Sequence, residues 1–315
     1  MAGLFGLLLV FFGIMLFILI RKNWITSRQQ QLQRRFKGWL VDIILEESAE
    51  QAEFWVPENI RALLRSRFAR QQLLLELKQL KSSLSGKPAE NLEKLYHQLG
   101  LAALSAQSLR SSKWYHKAQG IQELAVMNQP GFGPEIYPLT QHPHPVVRME
   151  AQLALVSFRQ EQGLQFFESL RYPLTGWHQV KLLQLMSSQP LPPQEMISRW
   201  LQSANVTVVQ FTLRLLGQQR AGTHQQEVIA CLRHPSEIIR RQAIACLEGF
   251  PPELAAKALR DLFKQEESKN LQIGPTHAGA ADDLPFLQEL LAVPDTDIRL
   301  TVEKALLHLQ SHLVA

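Results

Sequence analysis

Few residues in this 315-residue chain have the types and spacing that chemistry requires. His142 and His144 stand one residue apart, and paired imidazoles are common metal ligands. No third ligand follows at a matching distance, whereas a zinc site needs three or four protein ligands. His142 also aligns without gaps on His234 in a similar segment further along the chain. A histidine that returns at an equivalent position favours a structural role, so no metal site is predicted.

A second candidate lies in the segment 271–283, where Gly274-Pro275 interrupts a helical pattern. Proline inside a helix removes a hydrogen bond and collides with the preceding turn, at a cost of about 3 kcal/mol. Irregular backbone within a regular scaffold often carries function, which makes His277, with Asp282 and Asp283, a candidate site. The competing interpretation is that Asp282 caps the next helix and that the repeat has simply degraded.

The positions of the two cysteines indicate that their side chains pack in the core. Cys231 and Cys246 fall at apolar positions of neighbouring predicted helices, where a reduced cysteine behaves as a small buried hydrophobe. The sequence also contains no Gly-rich phosphate loop, no Gly-x-Ser-x-Gly elbow and no Cys-x-x-Cys pair. We therefore predict no catalytic residue, no cofactor and no enzymatic activity.

The chain opens with an uncharged apolar block from Ala2 to Ile20, which at 1.5 Å per residue would span roughly 28 Å of bilayer. Basic residues follow at once, beginning with Arg21 and Lys22. By the positive-inside rule this predicts a single-pass cell-membrane protein with its N-terminus outside and its C-terminal domain cytoplasmic. A cleaved secretory signal is the alternative, but the basic start and small-residue cleavage site of such a signal are missing.

The next segments read as helices with a basic character. Residues 21 to 117 hold 17 Lys+Arg and 9 Asp+Glu, which predicts attraction of residues 1–37 to lipid headgroups. Apolar spacing predicts an amphipathic helix over 27–51 and another from about 58 to 80, and the segment 21–89 is either a rigid helical stalk or a lipid-bound amphipathic layer. The predicted domains are an anchor at 1–22, a juxtamembrane helical region at 23–104 and a repeat array at 105–315.

A basic or polar residue flanked by apolar ones returns about every thirty positions in the rest of the chain, a period typical of stacked repeats. Three segments, 142–151, 234–243 and 293–302, share a fuller pattern. In each, proline and a short polar residue open a helix, a β-branched residue precedes an arginine, and small and apolar residues follow. A partner helix precedes each segment, which predicts two antiparallel helices per repeat. The returning residues are Lys117, Arg148, Lys181, Gln210, Arg240, Lys269 and Arg299.

This order of Pro, Val or Ile, Arg, and then Ala and Leu resembles HEAT repeats, in the short form found in phycobilisome-lyase-type proteins. The resemblance covers roughly 105–315. It implies an all-α protein whose array is a right-handed α-solenoid of about six HEAT-like helix pairs, here preceded by the transmembrane helix and a helical stalk. HEAT-like hydroxylases that bind iron carry His-Glu pairs, and this sequence has no His-Glu dipeptide, so that enzyme class is excluded.

Solenoids usually hold other molecules on a long surface. Residues 118 to 315 contain 16 Lys+Arg and 19 Asp+Glu, the wrong balance for gripping phosphates, so nucleic acid is not an expected partner. Tryptophans in the array should be buried, and any that is exposed becomes a candidate hot spot. The candidate interaction residues are Trp114, Trp177, Arg148, Arg240 and His277.

The predicted function is a membrane-tethered, non-enzymatic scaffold that holds a protein partner, expected to be another membrane protein, on the cytosolic face. The alternative is a lyase- or chaperone-like HEAT protein that acts on a cofactor-bearing client, as the phycobilisome-lyase resemblance implies. The sequence does not indicate which face of the array binds or whether the chain self-associates.

Overall fold

The computed structural model describes residues 2–46, 53–159, 161–219 and 224–247, and in these ranges the chain is all-α. The chain divides into two compact units. Unit 1 comprises Met1–Ile136 and His144–Ala154, and unit 2 comprises Tyr137–Pro143 and Leu155–Ala315. The predicted domain division at 22/23 and 104/105 was based on sequence pattern and stays a prediction.

The first helix, α1, runs from Ala2 to Leu45. The prediction of a membrane-crossing helix, and with it the single-pass localisation, is wrong, because no helix in the described part of the chain is both long and apolar enough to cross a bilayer.

The second half of α1 is part of the protein core of unit 1. Leu32, Phe36 and Leu40 are buried against α3 (Arg67–Lys81) and α4 (Lys87–Gln98). Nδ2 of Asn91 donates to the carbonyl oxygens of Ile43 (3.0 Å) and Glu46 (2.9 Å), which satisfies groups left open at the helix end. At these residues the structure therefore shows a packed helix and not a lipid-bound layer, because the apolar stripe faces protein.

The helix predicted over 58–80 is two helices, α2 (Glu58–Leu63) and α3. Ser66 adopts an extended backbone, with φ −80° and ψ 128°, and interrupts the helix between them. Within α3, Leu73, Leu74 and Leu77 share the face that is buried in the core, whereas Leu75 is exposed.

Unit 1 continues with a tight helix pair, α5 (Ala102–Leu109) and α6 (Trp114–Val126). Gly120 is the contact that permits their close approach. A Cβ atom at this position would lie 2.3 Å from the backbone nitrogen of Leu109 and 2.6 Å from the carbonyl oxygen of Ser105. No side chain larger than hydrogen fits there without backbone movement.

Short helical turns follow α6 and lead to the remaining helices. A 3₁₀ turn at Pro130–Phe132, the one-turn helix α7 (Gly133–Ile136) and a 3₁₀ turn at Tyr137–Gln141 precede α8 (Pro145–Ser157). Next come α9 (Glu161–Leu164) and a 3₁₀ turn at Gln165–Ser169. The later helices are α10 (Gly176–Met186), α11 (Gln194–Leu201), α12 (Val206–Gln219), α13 (Gln225–Cys231) and α14 (Glu237–Leu247).

The repeat period is visible in the helix boundaries. We call α6, α8, α10, α12 and α14 the second helices; they begin at Trp114, Pro145, Gly176, Val206 and Glu237, so successive starts lie 31, 31, 30 and 31 residues apart. Within unit 2, α12 packs against α10 and α14 and also against its preceding partner α11, while α13 packs on α11 and α14. This stacking of helix pairs is a helical-repeat architecture.

Candidate interaction surface on the second helices

The repeats of unit 2 are joined by side-chain hydrogen bonds whose partners lie one period apart in sequence. Seven of these bonds, with partners separated by 28 to 35 residues, illustrate the spacing. Most are donated or accepted by Gln, Asn or Arg side chains, which reach from one repeat to the same place in the next. The pairs are Val156–Gln189, Glu168–Arg199, Leu170–Asn205, Gln179–Gln210, Met186–Gln219, Ser198–Glu227 and Arg214–Gln242.

The centre of this ladder is a polar network that links three successive second helices. Nη1 of Arg214 donates to Oε1 of Gln179 (3.1 Å), and its Nε donates to Oε1 of Gln242 (3.1 Å). Nε2 of Gln179 donates to Oε1 of Gln210 (3.3 Å). Gln179 is buried, so its amide depends on these partners in place of water. The network fixes the register of α10, α12 and α14.

The returning polar residue has a structural role. Lys117 Nζ donates to the carbonyl oxygen of Leu109 (3.0 Å), and Arg240 Nη1 donates to the carbonyl oxygens of His234 (2.9 Å) and Pro235 (3.1 Å). These carbonyls belong to the chain just before the helix that carries the side chain. Lys117 and Arg240 therefore each secure the chain that precedes their own helix, and this contact explains their positions without an external binding partner.

In α10 the residue at the repeat position differs from the predicted one. Lys117 and Arg240 each stand three residues after the start of their helix, and the residue at that position in α10 is Gln179, not Lys181. Gln179 fulfils the same role, because its Nε2 donates to the carbonyl oxygen of Leu174 (3.3 Å). Arg148 occupies the position in α8, where it is half-buried.

The tryptophans of the predicted array differ in burial according to their position in the helix. Trp200 is completely buried, with its ring 4.5 Å from that of Phe167, as predicted for the array. Trp114 and Trp177 depart from the expectation of burial, with 45% and 64% of their surfaces exposed. Both stand in the first two residues of a second helix.

In unit 1, Trp114 belongs to an aromatic group. Its ring stacks on that of His144 with centroids 4.0 Å apart and an interplanar angle of 13°, and Tyr115 meets it edge-on at 5.7 Å. The stacking assigns His144 a packing role. Within the described ranges, no group of three or more His, Cys, Asp or Glu residues could hold a metal ion.

In unit 2, α10 presents an apolar and cationic face. Trp177 and Val180 are exposed on successive turns, and Lys181 places its Nζ 5.1 Å from the centre of the Trp177 ring. Ile238 occupies in α14 the position that Trp177 occupies in α10, the second residue of the helix, and is 57% exposed. Val206, at the start of the intervening helix α12, is also exposed. Exposed large apolar residues thus mark the same end of all three helices.

The remaining candidate residues are the two cysteines and the segment that contains His277. Cys231 and Cys246 are buried, as predicted, and burial raises the pKa of Cys231 to about 11 and that of Cys246 to about 12. His277 and the segment 271–283 lie outside the described residues, as does the repeat segment 293–302.

Comparisons with known proteins assign the chain to no family. No family model matches, and no curated protein matches. The X-ray structure of YibA from Escherichia coli is similar over 82% of this chain and 98% of its own, at 12% identity and a TM-score of 0.44. A designed armadillo repeat protein is similar over 80% and 98%, at 15% identity and a TM-score of 0.29.

A third similar structure is the complex of CpcE and CpcF of phycocyanin lyase from Nostoc sp., over 84% of this chain and 92% of that chain, at 15% identity and a TM-score of 0.28. Because all these identities and TM-scores are low, the fold assignment rests on the helix pairing and the periodic hydrogen bonds described above. Together they define a helical-repeat protein.

Proposed function

We propose that this chain is a non-enzymatic protein-interaction scaffold built on a right-handed, HEAT-like array. The observation that carries the proposal is the exposure of Trp177, Val206 and Ile238 at the starts of three stacked helices. A large aromatic side chain left in solvent costs hydrophobic free energy, and such residues are enriched among interface hot spots.

The periodic hydrogen bonds support the same proposal. A binding surface gains affinity when its side chains are held in place before the partner arrives, because less conformational entropy is then lost. Gln179 and Arg214 hold α10 and α12 in a fixed register beneath the exposed residues. The scaffold is thus preorganised on the side where the apolar residues emerge.

Site-specific photo-crosslinking in the source cells tests this function. A photoreactive phenylalanine analogue replaces Trp177 in one variant and Trp55, which is 76% exposed in unit 1, in the control. We expect a protein adduct at position 177 that is absent at position 55, and the purified adduct partner should bind the unmodified chain but bind Trp177→Ala more weakly. Identical adducts at both positions would refute a scaffold that uses this surface.

A further inference from the structure

Charge is segregated between the two helix layers of unit 2. The second helices α10, α12 and α14, together with the loops 170–175 and 232–236 that precede two of them, carry six basic residues and one acidic residue. We call this the basic surface. Its basic residues are Arg171, Lys181, Arg214, Arg233, Arg240 and Arg241, and its acidic residue is Glu237.

The first-helix layer consists of α9, α11, α13 and the 3₁₀ turn at Gln165–Ser169; two of its acidic residues, Glu168 and Glu227, are engaged within the protein, whereas Glu195 of α11 is exposed. Glu168 forms an ion pair with Arg199, with 2.8 Å between Oε1 and Nε. Glu227 accepts a hydrogen bond from Ser198 (3.2 Å) and lies 3.8 Å from Nδ1 of His224.

The cations of the basic surface differ in this respect. Among the described residues, no carboxylate lies within ion-pair distance of Arg171, Lys181, Arg233 or Arg241. The side chains of Arg171, Arg233 and Arg241 are exposed. Cations that repel one another across adjacent helices are stabilised when an anionic partner arrives, and such complementarity sets specificity and association rate.

The apolar residues on the same surface set the geometry of the partner. Adjacent packed helices lie about 8–10 Å apart, so Trp177 on α10 and Ile238 on α14, with α12 between them, are separated by roughly 16–20 Å. An extended chain advances about 3.3 Å per residue, so five or six residues cover this distance. Val206 stands at the start of α12, the helix between them, and Lys181 lies beside the Trp177 ring.

We infer that the basic surface of unit 2 binds an acidic protein segment in an extended conformation, with apolar side chains five or six residues apart that contact Trp177 and Ile238. This inference rests on the proposed scaffold function and names the class of partner. A protein segment fits better than nucleic acid, because bases stack on aromatic rings and two of the three apolar contacts, Val206 and Ile238, are aliphatic.

Panning a library of random dodecapeptides against the full chain tests the inference and requires no identified partner. We expect enriched peptides that are rich in Asp and Glu and carry two apolar residues at the stated spacing. The strongest of them is then synthesised with a fluorescent label and measured by anisotropy against the wild-type chain and its variants.

Two double variants separate the electrostatic contribution to binding from the hydrophobic one. Lys181→Glu with Arg241→Glu should weaken binding about tenfold or more at low salt, and salt near 0.5 M should shrink that difference by screening. Trp177→Ala with Ile238→Ala should weaken binding about tenfold at either salt concentration. Lys94→Glu and Trp55→Ala, both on exposed side chains of unit 1, serve as matched controls that should bind as the wild type does.

The outcomes distinguish the inference from the function beneath it. Enriched peptides without acidic residues that still lose affinity on Trp177→Ala would overturn the acidic partner and leave the scaffold standing. Failure of every peptide, together with no specific adduct at position 177, would overturn both. Tighter binding of a labelled oligodeoxythymidine than of the peptides, or self-association through the basic surface in sedimentation, would also overturn the acidic-segment inference.

Discussion

Arg214 donates a hydrogen bond of 3.1 Å from Nη1 to Oε1 of Gln179, a residue 35 positions earlier in the chain. The two side chains come from neighbouring second helices, and each also contacts a third residue of the ladder. A repeat array is stabilised by intrinsic repeat energies and by the interfaces between neighbours. This hydrogen bond lies at an interface between neighbouring repeats, so its removal should lower the stability of more than one repeat.

Replacing Gln179 with alanine should lower the free energy of unfolding by about 2 kcal/mol, because Arg214 and Gln210 lose a buried partner. Chemical denaturation followed by circular dichroism measures the change. Gln184→Ala on the exposed face of the same helix is the control and should stay within about 0.5 kcal/mol of wild type. Equal effects of the two substitutions would show that the ladder does not stabilise the array.

Gly120→Ala should destabilise unit 1 by about 3 kcal/mol, since the new methyl group meets backbone atoms of α5, which cannot move aside as a flexible side chain can. Hydrogen exchange of the amides in α5 and α6 gives a local measure of this loss. For comparison, Gly38→Ala in α1 adds a methyl group with nothing within 4 Å and should be neutral or stabilising. Normal protection of α5 and α6 in Gly120→Ala would contradict the close approach.

Asn91→Ala should loosen the C-terminal end of α1, because the carbonyl groups of Ile43 and Glu46 lose their donor in a largely buried site. We expect a loss of about 2 kcal/mol and faster amide exchange in the last turns of α1. Lys94→Ala, on the exposed face of the same helix α4, should change neither quantity appreciably.

The stability of unit 1 should depend on the ionisation of Glu123. Burial raises the pKa of this carboxyl group, although a hydrogen bond from Gln119 opposes the shift. The folded state then holds the proton more tightly than the unfolded state, so this group's contribution to stability falls as the pH rises from the unfolded-state pKa through the raised folded-state pKa. Glu123→Gln should therefore gain stability relative to wild type on going from pH 4 to pH 7.

Glu135 provides a control of opposite sign for that titration. Hydrogen bonds from the Arg110 guanidinium hold the pKa of Glu135 below its ordinary value. Its contribution is present above the unfolded-state pKa and is lost as the pH falls through the lowered value. Glu135→Gln should lose a little stability at pH 7 and none at low pH, and denaturation curves at several pH values measure both variants. Parallel pH profiles for the two variants would refute the assignment.

The two thiols should be inert in the folded chain. The raised pKa values, about 11 for Cys231 and about 12 for Cys246, leave almost no thiolate at pH 8, and both side chains are buried. A thiol-reactive dye should label them slowly in buffer and rapidly in denaturant. Ala204→Cys, on an exposed loop of unit 2, should label at once. Rapid labelling of Cys246 in the native chain would contradict its burial.

The sequence by itself determined the period, because a repeat that stacks on its neighbours must present the same residue types at the same interval. The starts of α6, α8, α10, α12 and α14 follow that interval. The sequence also indicated the burial of Cys231, Cys246 and Trp200, since each lies on the apolar side of an amphipathic pattern.

The tertiary structure decided what those positions do. A pattern of residue types gave Lys181 as the repeat position, whereas helix packing assigns it to Gln179, because only the fold shows which side chain reaches the preceding loop. The nearly balanced charge of residues 118–315 did not indicate the segregation of charge in unit 2. Helices that are adjacent in sequence lie in different layers, so only the fold separates the basic from the acidic residues. Exposure of Trp114 and Trp177 was likewise set by the fold, because an apolar residue is buried only where a neighbouring helix covers it.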